Sequence, residues 1–162
     1  MKIDFRQDIP EVLAYVHRRV AEQTAAAPTL PVSRITLGFE FGNENWVALE
    51  FDTRPNPEPD GRWTVGVAKT LMRRPRWPNW GEKPEGERVI FTNVAGQEVD
   101  ITDSPDDRGC KVIGDAMRQV LLTANKEGAF DSLAKAARCE LEVENFDGYY
   151  GWLASKDPAS MA

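Results

Sequence analysis

A chain of 162 residues is long enough for one domain with a substantial buried core. Its 41% hydrophobic and 28% charged residues lie near the values of ordinary globular proteins, which sets aside fibrous and disordered classes. The net charge of −6 repels phosphate backbones and argues against general nucleic-acid binding.

Asp8-Ile9-Pro10-Glu11 reads as a helix start. The Asp8 carboxylate can accept from free first-turn amides, Pro10 suits the first turn, and Glu11 completes a capping-box spacing. Ile9, Val12, Leu13, Val16 and Val20 then share a face, and the helix is expected to end in 23–27, before Pro28. Ile35, Leu37, Phe39 and Phe41 alternate with polar or small residues. After the turn residues Gly42-Asn43-Glu44-Asn45, the alternation resumes at Val47, Leu49 and Phe51, which predicts a hairpin. Prolines exclude regular structure in 55–61, and Trp63, Val65 and Val67 mark a third strand. The segment from about 70 to 87, with three prolines and two glycines, is expected to be a long surface loop.

Val89-Ile90-Phe91 and Val99-Asp100-Ile101 predict a second hairpin around Val94-Ala95-Gly96. A helix follows from about Pro105 or Asp106 to Asn125, with Gly128 as its stop. Ile113, Ala116, Met117, Val120 and Ala124 form its apolar face, widened by Val112 and Leu121. Residues 129–138 suggest a short second helix. Cys139, Leu141 and Val143 alternate with Glu140, Glu142 and Glu144 as a last strand. The expected fold is therefore α+β in a single domain, 1–162. It has an N-terminal helix, a mostly antiparallel sheet of about five to six strands, and one or two C-terminal helices on one sheet face. The opposite face is expected to be free.

Machinery for chemistry is sparse. The sequence holds no G-x-S-x-G, H-E-x-x-H, P-loop or Rossmann glycine fingerprint. The single histidine, His17, lies mid-helix at the edge of the apolar stripe, more in keeping with a helix-flank residue than a catalytic base. Cys110 and Cys139 have no metal or redox spacing and are read as reduced, packed thiols. No enzyme activity, cofactor or metal site is expected. No run of about 18 apolar residues occurs and the N-terminus lacks an apolar signal core, so a cytoplasmic protein without a membrane span is expected.

Three stretches remain as candidate surfaces. Glu140, Glu142 and Glu144 should project from one strand face at a spacing of about 7 Å, with Asp147 close behind. Like charges in a row need solvent or a cation, so this is either a solvated face or a landing strip for a basic partner. A calcium or magnesium site would need converging oxygens rather than a row. Phe146, Tyr149, Tyr150 and Trp152 follow within seven residues, either closing the core or acting as recognition anchors. Arg74, Arg76, Trp77 and Trp80 form a basic, aromatic loop that could contact nucleic acid, bind protein or pack on itself.

In size, acidity, helix-then-meander layout and the acidic-aromatic strand from Cys139 to Trp152, the chain resembles small bacterial immunity proteins, the antidotes of toxin–immunity pairs. That resemblance implies inhibition of a basic toxin by occlusion, without turnover. Glu140, Glu142, Glu144 and Asp147 would steer by charge, and Tyr149, Tyr150 and Trp152 would anchor. Charge reversal of the three glutamates to lysine is then expected to weaken partner binding with little loss of fold. Two other readings stay open. One is a structural or adaptor subunit using the same surface permanently. The other is an enzyme or ligand binder on the free sheet face, which would need carboxylates such as Glu40, Glu50 and Glu142 to converge.

Overall fold

A computed structural model describes residues 1–54, 71–80 and 85–157. Its strands are β1 (Lys2–Asp4), β2 (Val32–Glu40), β3 (Trp46–Asp52), β4 (Met72–Arg73), β5 (Ile90–Thr92), β6 (Glu98–Asp100), β7 (Lys135–Asn145) and β8 (Gly151–Leu153); its α-helices are α1 (Ile9–Ala26) and α2 (Cys110–Lys126). The fold is α+β, built on two sheets rather than one. The larger runs β4-β3-β2-β7-β8 and the smaller β1-β5-β6. Pairing is antiparallel except β2 with β7 and β1 with β5. The strand expected around Trp63, Val65 and Val67 lies outside the described residues.

The alternation in 35–51 translates directly into register. Ile35 faces Phe51, Leu37 faces Leu49 and Phe39 faces Val47, all on the helix-covered side. Leu141 and Val143 of β7 continue those rows beside Ile35 and Leu37. Val12, Val16 and Val20 of α1 and Ile113, Met117, Val120 and Leu121 of α2 fill the space above them. Tyr15 reaches the sheet as well: its hydroxyl accepts from the Leu49 amide at 3.1 Å, where β3 has run past its short partner β4.

Three expectations are corrected. Residues 129–138 do not form a second helix: Gly128, at φ +74°, stops α2, and β7 begins at Lys135. Pairing of Lys135 with Val32 of β2 overrides the helix preference of Ala136 and Ala137. The Asp8 side chain does not cap α1; it meets Arg74 instead. The described part of the 70–87 loop is not wholly superficial, because Arg74 and Trp77 are buried. Trp77 joins Phe5, Phe39 and Phe41 in an aromatic cluster, with ring centroids 5.6 to 6.5 Å apart, which couples the small sheet to the large one.

The loop is held by the β2–β3 turn. Asn45, at φ +52°, donates from Nδ2 to the carbonyls of Trp77 (3.0 Å) and Pro78 (3.3 Å), and accepts at Oδ1 from the Gly42 amide (2.8 Å). Gly42 is required twice over: its φ is +103°, and a Cβ there would stand 2.7 Å from Trp80 Cδ1.

Candidate functional site

The period of two along β7 puts Glu140, Glu142 and Glu144 on the face away from the helices, opposite Arg34, Thr36 and Gly38 of β2. Glu50 of β3 lies across Thr36 from Glu142. With Asp52, which pairs with Arg34 in register, five carboxylates share this face with Arg34 among them. Thr36 Oγ1 donates to Glu142 Oε2 at 2.8 Å, and Arg34 Nη1 stands 3.5 Å from the same oxygen. Glu140 accepts the Ser155 amide at 2.8 Å. Glu144 has no hydrogen bond or ion pair among the described residues, and its strand neighbours on both sides, Gly38 and Gly151, carry no side chain to cover it.

This face is not free at its centre: Thr36, Gly38, Glu40, Trp46 and Ala48 are buried. The carboxylates register that environment. Burial pushes Glu50 up to about 7, helped by the charges of Glu144, Asp52 and Glu142. Its buried Oε1 has no hydrogen-bond partner among the described residues. Glu144 is raised in the same way, by burial first and Glu142 second. Glu40 does not converge with them, because its carboxylate accepts the Asn43 (3.2 Å) and Asn45 (2.6 Å) amides and shapes the β2–β3 turn.

A pH dependence follows. Glu50 holds its proton more tightly folded than unfolded, where 4.5 is its ordinary value. The folded state therefore binds more protons than the unfolded state between about 4.5 and 7, and stability falls as pH rises through that window. Allowing for partial solvent screening, the expected loss from pH ~5 to ~8 is about 1–2 kcal/mol. Urea denaturation of Glu50→Gln should show that fall removed; an unchanged pH profile would contradict the assignment.

The acidic row and the pair Tyr150 and Trp152 lie on opposite faces of the sheet and meet only at the β8 edge. Tyr150 turns toward α2, its ring against Gly114 and its hydroxyl donating to Asp115 Oδ1 at 3.0 Å. Trp152 faces the Val143 side; its Nε1 donates to Asp157 Oδ2 at 2.7 Å, and Arg118, itself paired with Asp157, lies over its ring. Both are positioning groups, set on the helix side by strand parity.

The β7–β8 turn between them is different. Asn145 is fully buried and holds the turn from within: Nδ2 donates to the Phe39 carbonyl (3.3 Å) and Oδ1 accepts the Tyr149 amide (3.1 Å). Its backbone carbonyl accepts the Gly148 amide at 2.9 Å, with Gly148 at φ +84°. The fixed turn displays Phe146 at 51% and Tyr149 at 50% exposure, with Asp147 exposed between them. Phe146 also packs edge-on against Trp46, at 5.7 Å between centroids. Phe146 was named from sequence only within the aromatic cluster, not among the partner anchors, and Asn145 was not singled out at all. The signal available was an Asn four residues before the Tyr149 amide, at the end of an alternating strand and ahead of Gly148.

The basic loop is largely committed internally. Arg74 pairs with Asp8 and, at 2.7 Å, with Glu11; Arg76 stands 3.3 Å from Glu11. Trp80 packs on Phe41 at 5.9 Å between centroids. Of the loop residues named from sequence, Arg76 alone keeps a half-exposed side chain as the site of any outside contact. His17 meets Glu127 at 2.9 Å across the α1–α2 contact. Burial pushes the Cys110 thiol up to about 12, away from reactive thiolate behaviour. Among the described residues no group of three His, Cys, Asp or Glu side chains is placed to hold a metal ion, and no helix is long and apolar enough to cross a membrane.

No protein-family model, curated protein or solved structure matches this chain.

Proposed function

We propose that this protein is a binding module that occludes a basic protein partner, in the manner of an immunity-type inhibitor. The observation that carries the reading is the pinned β7–β8 turn. Phe146 and Tyr149 are two of four exposed large hydrophobic residues among those described, and they stand three positions apart on one turn. Rigid aromatic side chains give contact area at small entropic cost, the usual chemistry of an interface anchor. Asp147 beside them, and the net charge of −6, favour approach of a basic surface.

The test is capture from native cells at low salt by the wild type and by Phe146→Ser/Tyr149→Ser. A single basic polypeptide retained at equal amounts by the wild type, and bound at least about 100-fold more weakly by the double variant at unchanged thermal stability, is the expected result. Stoichiometric loss of the partner's activity in the complex separates inhibition from an adaptor role. Retention of the partner by the double variant would overturn the reading. Charge reversal of all three glutamates is a poor test, because a lysine at Glu142 would face Arg34 and strand Thr36. Asp147→Lys is the cleaner variant, with a slower association rate as its expected signature.

A further inference from the structure

Among the described residues the outer edge of β8 is open. In an antiparallel pair, alternate residues turn their backbone groups toward and away from the neighbour. The Asn145 amide donates to the Tyr150 carbonyl at 2.9 Å, which sets Val143 and Trp152 as the next bonded pair. Gly151 and Leu153 therefore aim their amides and carbonyls away from β7, and β8 ends the sheet. A groove of about 560 Å³ follows this edge, with Glu142, Glu144, Trp152, Leu153 and Asp157 in its wall and Lys156 as its one cation among the described residues. Asp157 is occupied by Arg118 and Trp152, and Glu142 by Thr36 and Arg34. Glu144 is the carboxylate left to a newcomer, and Gly151 leaves the way to it clear.

We propose that the β8 edge receives an extended, basic segment of the partner protein as an added strand, with a lysine or arginine opposite Gly151 reaching across the glycine to Glu144. Backbone pairing at Gly151 and Leu153 supplies the attachment, and side chains at alternate positions of the guest read the two faces. A residue opposite Gly151 sits two strand spacings from Glu144, roughly 10 Å, which a long cationic side chain and the glutamate span together. On the other face the guest's intervening residues lie beside Trp152, so they should be apolar. The inference rests on the protein-binding reading above and specifies the partner's chemistry.

The probe is a labelled peptide, Lys-Val-Lys-Val-Lys-Val-Lys with blocked ends, titrated against the full chain by fluorescence anisotropy at low salt. Saturable binding is expected, about tenfold weaker for Gly151→Pro, which removes an outward amide, and about fivefold weaker for Glu144→Gln. The same peptide N-methylated at alternate amides should lose binding while keeping its charge, a control that does not depend on any variant folding. No saturable binding, equal affinity of the methylated peptide, or indifference to both substitutions would overturn the proposal. If those results appear while partner capture still depends on Phe146 and Tyr149, strand addition alone fails. If capture shows no such dependence, the parent reading fails with it.

Discussion

Replacing Asp8 with alanine lowers the unfolding free energy by about 3–5 kcal/mol. Asp8 is 2% exposed and its partner Arg74 3% exposed, so removal of the carboxylate leaves a guanidinium uncompensated in the interior. Glu11, at 2.7 Å, remains to Arg74 but is half in solvent and cannot replace the lost partner. Arg74 Nε already has no hydrogen-bond partner among the described residues, so the group has little reserve. The Trp77 indole, 3.4 Å from Asp8 Oδ1, would be loosened as well. A double-mutant cycle in urea distinguishes this from a packing effect. Arg74→Met alone also strands a buried charge and costs a similar amount, whereas Asp8→Ala with Arg74→Met recovers most of the loss, because neither charge remains. Simple additivity of the two losses would show that the residues act separately.

That pair also marks where sequence reasoning reaches its limit. Asp8 two residues before Pro10 and three before Glu11 satisfies every local rule for a helix cap, and the helix does begin at Ile9. The cap is worth about 1 kcal/mol, while a buried arginine without a partner costs several times that, so the tertiary interaction takes the carboxylate. Nothing local in the sequence announces a partner 66 residues away. The hairpin at 35–51 and the face of α2 were legible for the opposite reason. Their apolar residues repeat at two and at 3.6, and burial on one side enforces the pattern: Ile113, Ala116, Met117, Val120 and Ala124 are all buried. β1 carries too little pattern to be read, because three residues with two charged ones become a strand through pairing with β5.

The candidate site was legible in parity but not in depth. Alternation placed the three glutamates on one face correctly, and the same alternation, carried through the hairpin, puts Trp152 on the other. The length of the turn decides this, and a four-residue loop between Asn145 and Tyr150 cannot be read from the aromatic run alone. Nor could burial of Thr36, Gly38 and Ala48 be read from strands whose outward residues look small or polar. What remains as the candidate surface is the turn, held in place by the buried Asn145 and the half-buried Tyr150.

Gly114→Ala tests that seat and should destabilise the protein by about 1–2 kcal/mol, the overpacking cost less the helix gain. In an isolated helix the same change would stabilise by roughly 1 kcal/mol, because glycine is a poor helix former. Here a Cβ would fall inside the contact distance of the Tyr150 ring, which is fixed by its hydroxyl bond to Asp115 and by Phe39, at 6.3 Å between centroids. Overpacking against a ring that cannot yield commonly costs about 1–3 kcal/mol. The sign depends on the ring. With Tyr150→Ala as the background, the obstruction is gone and Gly114→Ala should become stabilising by up to about 1 kcal/mol. Thermal or urea unfolding of the four proteins reads this reversal directly; destabilisation of equal size in both backgrounds would show that Gly114 serves the helix and not the turn. Because Tyr150 also fixes where β8 begins, Gly114→Ala alone should weaken partner capture, whereas Tyr150→Phe, which keeps the ring and loses only the bond to Asp115, should leave it nearly intact.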